Sequence, residues 1–359
     1  MKGSGNIGVA VFAAMLTVMK AVPQKEKIID EGGMASEVQM LGAFFDLDRM
    51  RVSVPMDKTA KAKHLIAVVC DLEWAPADLM QQLLGVLVFL CRILLSAKWH
   101  LSATVRASAV AGQEGVVRVR TMLRSELQWH NELYTHWNCA AMMIPRQYTT
   151  WDQHTLLTPA SDAAASKKKK TGAAGAWFSN YYQYWSFTPA EASELDIMDL
   201  EGLALVVWME YLVRVHPHYI TGKRFVMRCD NDPFVKAVNS RKSSHPAVAY
   251  LLGILHRWQA LYSFDLRLEY IRSKDNIGAD ALSRGKLTEF FSFMFSRFDI
   301  PQAKCRRVPL NSAFRNLTSS TMRRSKRSMT CGLKQPRTEG GRRSEFGNGS
   351  AFDTNSNLF

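Results

Sequence analysis

Between Thr155 and Arg284 the hydrophobic pattern switches repeatedly between strand-like and helix-like periods, and few architectures accommodate that order. Three strand-like stretches come first: Thr155 to Ala163, Ala173 to Ser179 and Tyr181 to Phe187, the first two joined by a lysine-rich turn, Ser166 to Gly172. A helical stripe follows at Leu200, Leu203, Ala204, Val207, Trp208 and Tyr211, closed by Pro217. Its start is ambiguous, because Thr188-Pro189-Ala190-Glu191 forms a capping box well before the stripe begins. Then come a strand, Arg224 to Asp230; helices over Asp232 to Val238 and Pro246 to Tyr262; a strand, Leu266 to Ile271; and a short helix that Asn276 caps and Gly285 ends. This alternation predicts an α/β fold with a mixed sheet of five strands flanked by helices.

Four carboxylates fall at notable places in that order. Asp162 lies at the end of the first strand and Asp230 at the end of the fourth. Glu201 stands one residue, a step of about 100°, from the apolar stripe of its helix. Asp280 lies in the first turns of the last helix. Taken singly, an acid at a strand end or on a helix is most often a solvated group.

The closing run Asn276-Ile277-Gly278-Ala279-Asp280-Ala281-Leu282-Ser283-Arg284 resembles the N-x-x-A-D-x-L-S-R signature of the ribonuclease H domain of retroelement reverse transcriptases, with the DIRS-like group, near the gypsy-type enzymes, as the best match. Asp162-Ala163, Glu201 with Leu203-Ala204, and Asp230-Asn231 are similar to that family's D-A, E-x-L-A and D-N elements. The resemblance spans roughly Trp151 to Arg284. It implies a metal-dependent endonuclease acting on RNA in RNA–DNA hybrids, with Asp162, Glu201, Asp230 and Asp280 as catalytic metal ligands for two Mg²⁺ ions that Mn²⁺ can replace. Such chemistry needs hard oxygen ligands around ions about 4 Å apart. Asn231, Asn276, Ser283 and Arg284 are lesser candidates for contacts to substrate. A different reading is an inert retroelement remnant that only binds nucleic acid. The lysine turn, Lys167 to Lys170, and Pro159 ahead of Asp162 depart from the family pattern and support it.

The resemblance continues more weakly upstream. Residues 1–58 look like the end of a polymerase palm and 59–150 like a mostly helical thumb and connection, with the helix of Leu79, Leu83, Leu87 and Leu90 its clearest part. The polymerase Y-x-D-D motif is absent from the chain, so a separate polymerase-containing chain is a conceivable partner. Asp46 and Asp48 read as surface acids in a hairpin, and the pair His216 and His218 is a poor metal site by itself. The ribonuclease H-like region is taken as 151–290, and 291–359 as a basic tail expected to be disordered.

Composition narrows the partners. The 359 residues carry a net charge of +14. From Ala303 to the end there are 12 basic and 3 acidic residues, so +9 of that surplus belongs to the tail. A polyanion is therefore the expected partner, and the resemblance implies that it is an RNA–DNA hybrid. With 47% hydrophobic and 22% charged residues the chain is neither disordered throughout nor fibrous. The six cysteines form no C-x-x-C pair, which argues against a zinc ribbon and for a reducing, intracellular setting; nucleus and cytoplasm are not distinguished. The apolar run Ile7 to Met19 is too short to span a bilayer, and no membrane association is expected.

Overall fold

The computed structural model describes residues 37–143, 159–311 and 314–331. The run Ile7 to Met19, the first residues of the strand expected from Thr155, and the chain beyond 331 lie outside them.

The first part begins with strands β1 (Glu37–Met40) and β2 (Ala43–Asp46), where sequence alternation suggests one continuous strand. Leu41 and Gly42 both take positive φ (53° and 80°), the geometry of a tight hairpin turn, and this breaks the strand in two. With β3 (Arg51–Ser53) and β6 (Ala140–Met142) they form an antiparallel sheet of order β1-β2-β3-β6. Between β3 and β6 lie helices α1 (Met56–Asp71), α2 (Ala77–Ile93), α3 (Ser102–Glu114) and α4 (Thr121–His136), and a small ladder of β4 (Trp74–Pro76) with β5 (Val116–Arg118). Helix α2 buries Leu83, Leu87 and Leu90 of the stripe that its spacing foretells, with Met80 buried in place of Leu79. Among the described residues no helix is long and apolar enough to cross a membrane.

The second part is a mixed sheet of order β11-β10-β7-β8-β9-β12. Its strands are β7 (Ala160–Ser166), β8 (Thr171–Phe178), β9 (Tyr181–Ser186), β10 (Arg224–Cys229), β11 (Asp265–Tyr270) and β12 (Arg306–Arg307). Strand β8 runs antiparallel to its neighbours, while β7, β10 and β11 are parallel. Pro159 precedes the first residue of β7 and uses only its carbonyl, accepting from the Arg228 N–H at 2.9 Å, so it costs the sheet no donor.

The helices are α5 (Pro189–Glu194), α6 (Ile197–Val215), α7 (Pro217–Ile220), α8 (Asp232–Ser240), α9 (Pro246–Leu261), α10 (Ile277–Ser283), α11 (Leu287–Phe298) and α12 (Phe314–Cys331). The ambiguous helix start resolves into two helices, each with its own capping box: Thr188 with Glu191 for α5, Asp196 with Asp199 for α6.

Two expectations are corrected. The sheet has six strands rather than five, because Arg306-Arg307 pairs in parallel with Tyr181-Tyr182 at the β9 edge. Two arginines carry no alternating pattern, so nothing in their sequence marks a strand. The segment read as a disordered tail is also ordered in part. Helix α12 lies against α6 and α9 and buries Phe314, Thr318 and Thr321. The hydroxyls of Thr318 and Thr321 donate to the carbonyls of Phe314 (3.3 Å) and Leu317 (2.9 Å), so a buried stripe is written in polar letters.

The two parts share a core. Ala260 of α9 packs among the α1–α4 side chains, and Trp129 Nε1 of α4 donates to the Gly253 carbonyl of α9 at 2.9 Å. His100 stacks on Trp129 (3.8 Å between ring centres) and shares a proton with His256 of α9 (Nε2 to Nδ1, 3.0 Å). His130 bonds the His100 carbonyl at 2.7 Å. Burial holds all three imidazoles neutral, His100 down at about 2, His256 at about 3 and His130 at about 4.

An unfolded chain would protonate these histidines near pH 6.5. Below that value the unfolded state binds more protons, so they cost stability progressively as pH falls toward their folded values. Replacing His256 by Gln should flatten the dependence of unfolding free energy on pH between 6 and 4 by up to about 1.4 kcal/mol per pH unit. Urea unfolding at several pH values measures this, and equal slopes in both proteins would show that His256 is not held neutral by the fold.

Candidate active site

Strand β10 pairs with β7 only at Arg228↔Ala160 and then separates from it. In a parallel pair alternate residues face the neighbour, so beyond Ala160 the N–H of Ala163 would point into the gap. Glu201 fills that gap from α6, its Oε1 accepting from the Ala163 N–H at 3.2 Å. Its other oxygen accepts from the Cys229 thiol at 3.7 Å. Asp230 follows directly after the end of β10. A carboxylate oxygen of Glu201, one of Asp230 and Cys229 Sγ all lie within 4.8 Å of one another. The acids thus gather at a split between strands, where α/β sheets commonly form binding crevices.

Asp162 and Asp280 complete the group from the other side. Asp162, in β7, is within hydrogen-bonding reach of Asp230 and accepts from the Ser283 hydroxyl of α10. Asp280, in the first turn of α10, is close enough for its charge to act on Asp162. Its Oδ1 accepts from Arg284 Nε at 2.7 Å.

A glycine makes this approach possible. Gly175 of β8 lies opposite Asp162 in register, and α10 rests on it. A Cβ at that position would stand 2.7 Å from the Ser283 nitrogen, with Leu282 closer still. Gly202, next to Glu201, plays the same part for α6: a Cβ there would meet Leu251 of α9 at 2.7 Å.

The electrostatics are those of a buried acidic cluster in which Arg284, paired with Asp280, supplies countercharge. Burial, with the negative charge of Asp230 and Asp280 added, lifts Asp162 to about 7, despite the Ser283 hydrogen bond that favours the ionised form. Burial and the charges of Asp162 and Asp230 push Glu201 well above the ordinary carboxylate range. Asp162 and Glu201 are 4% and 2% exposed. A divalent cation would add further countercharge, and the donor set, four carboxylates from four elements, suits a hard ion such as Mg²⁺ or Mn²⁺.

Of the lesser candidates, Ser283 and Arg284 join the site through Asp162 and Asp280. Asn231 does not present a free amide oxygen, because its Oδ1 caps α8 by accepting from the Phe234 N–H at 3.0 Å. Asn276 is buried and reaches the Ser161 carbonyl at 3.4 Å, so it ties α10 to β7 and makes no side-chain cap on its own helix. In the exposed lysine turn, Lys167 pairs with Asp196 at 2.5 Å. Asp46 sits in its hairpin bonded to the Arg49 N–H, away from these acids in the fold. Sequence reading passed over Gly175, whose one signal is a glycine inside an otherwise regular strand.

No protein-family model matches the chain, and no curated protein does either. Among solved structures it is similar to RNase H1 from the halophilic archaeon Halobacterium salinarum NRC-1, at 15% identity and a TM-score of 0.29, over 37% of this chain and 97% of that one. It is also similar to LC11-RNase H1, isolated from compost by a metagenomic approach, at 16% identity and a TM-score of 0.28, over 38% and 97%.

Two outcomes follow from the geometry. Asp230→Asn removes one charge acting on Asp162 and Glu201, whose ionisation in the fold is unfavourable. The metal-free variant should therefore melt higher than the wild type above pH 7, and the gain should vanish near pH 4, where Asp162 is protonated in both. Thermal melts in a chelating buffer at the two pH values measure it. Gly175→Ala should lower stability by about 1–3 kcal/mol in chemical unfolding, because α10 must lift from the sheet. An unchanged midpoint would mean that α10 does not rest on Gly175.

Proposed function

We propose that the chain is a metal-dependent endonuclease that hydrolyses the RNA of RNA–DNA hybrids on a ribonuclease H-like sheet, and that it comes from the C-terminal part of a retroelement reverse transcriptase. The observation that carries this reading is the gathering of Asp162, Glu201, Asp230 and Asp280, from four separate elements, where β10 parts from β7. The strand order β11-β10-β7-β8-β9, with β8 alone reversed among these five, supports it. The retroelement origin and the preference for a hybrid rest on the resemblance of the sequence motifs.

In this reading Asp162, Glu201, Asp230 and Asp280 would hold the ions. A pair of Mg²⁺ ions, when bound, lowers the pKa of the attacking water and stabilises the leaving 3′ oxygen. The chain's own part is to hold oxygens ready. The Ala163 N–H fixes Glu201, Ser283 fixes Asp162, and Arg284 fixes Asp280. The guanidinium of Arg284 is half-exposed, so N–H groups beyond the one given to Asp280 could serve a phosphate.

A labelled hybrid, incubated with the full chain and Mg²⁺ or Mn²⁺, provides the test. Cleavage is expected, and Asp230→Asn should lower it by at least about a hundredfold. Hybrid binding, carried by lysines and arginines, should persist. Glu269→Gln, at an exposed acid paired with Arg228, should leave cleavage near the wild-type rate. A folded wild type that binds hybrid and leaves it intact with either metal would overturn the nuclease reading in favour of an inert nucleic-acid-binding relic.

A further inference from the structure

Strand β12 stays beside β9 for only two residues. The Val308 N–H donates to the Tyr182 carbonyl at 2.8 Å, and the Pro309 carbonyl accepts from Gln183 Nε2 at 3.1 Å, after which the chain leaves the sheet. The separation opens a groove of about 560 Å³ between Tyr184 to Ser186 on one side and Arg307 to Leu310 on the other. The exposed guanidinium of Arg307 lies over the ring of Tyr184 at 4.3 Å. Glu210, which reaches the far end through Asn311 (2.7 Å), is already paired with Arg214 at 3.1 Å.

We infer that this groove binds a single-stranded stretch of polynucleotide, one base stacking on the Arg307–Tyr184 pair and a neighbouring phosphate taken by Arg307. Three features fit that occupant. A planar guanidinium on an aromatic ring offers a flat face that accepts any base. The positive charge of that guanidinium complements a phosphodiester. The groove's tyrosine also lies on the same face of the sheet as Asp162. Asp162 pairs in register with Gly175, and Gly175 with Tyr184, so the acid and the tyrosine face the same side of the sheet, two strands or about 10 Å apart. Helix α10 lies between them, touching β7, β8 and β9. That the strand would flank a hybrid held at the acids rests on the function proposed above; the binding itself does not.

The test uses the full chain, fluorescein-labelled dT12 and a blunt hybrid of the same label, followed by anisotropy. Wild type should bind dT12, and Tyr184→Leu should weaken that binding about tenfold. Arg307→Gln should weaken it as well and reduce the slope of log affinity against log salt by about 0.7. Leu310→Glu, at an exposed position of the rim, should do the same as Tyr184→Leu without touching the core. Blunt-hybrid affinity should stay within about twofold throughout, since its phosphates lie elsewhere. Unchanged dT12 affinity in the variants, an equal loss on the blunt hybrid, or no dT12 binding by wild type would each overturn the proposal. Failure of wild type to cleave hybrid would instead remove the nuclease reading and leave the dT12 result standing.

Discussion

Helix α10 lies on bare backbone. Where another residue would hold a helix off the sheet by a side chain's depth, Gly175 lets Leu282 and Ser283 settle onto β8, and this sets the distance between two acids that are 118 residues apart in the chain. Asp162 and Asp280 belong to different layers, sheet and helix. Only a close approach of those layers lets the Ser283 hydroxyl reach Asp162 while Asp280 remains in range of its charge. The arrangement on the opposite flank is similar. Gly202 admits Leu251, α6 and α9 draw together, and Glu201 is driven into the gap beside Ala163.

These contacts bring together groups that repel. The fold tolerates the conflict because three of the acids keep a donor: a backbone N–H for Glu201, a hydroxyl for Asp162 and a guanidinium for Asp280. None of the three removes the conflict, since Asp162 and Glu201 remain shifted upward by burial and by the charge of neighbouring acids. Sites that carry perturbed acids in a crevice are candidates for chemistry rather than for stability. At the opposite end of α9 the histidine stack is the reverse case, where burial is matched by neutral hydrogen bonds and the groups serve packing alone.

How much of this was legible in the sequence depends on whether a residue's task is written in its own type. The apolar stripe of α6 was, with most of that of α2, and so was the order of strands and helices that carries the four acids, although Asp162 stands third in a seven-residue strand rather than at its end. The capping boxes were legible too, although Thr188 begins a helix of its own rather than the long one. Three things were not. A two-residue strand of arginines has no period. A buried helix face made of threonines satisfied by their own helix looks solvent-exposed on paper. The turn at Leu41 has a residue type that seldom takes positive φ, so the split of the first hairpin was hidden. Asn276 was misread for a related reason: at the entrance of a helix an asparagine is expected to cap, but here the sheet offers it a partner at Ser161.

The shared core has a mechanical meaning. Trp129 of α4 rests against Gly253 of α9, and Leu251, two residues earlier on α9, rests against Gly202, the neighbour of Glu201. The helical region is thus joined to a site carboxylate through one rigid helix and two glycine contacts, with no loop in between to absorb a shift. Whatever tilts α4 must either carry α9 with it or tear the indole from its carbonyl. Residues 37–143 therefore act as a buttress for the sheet rather than a freely hinged appendage, and the position of Glu201 is a property of both parts of the chain.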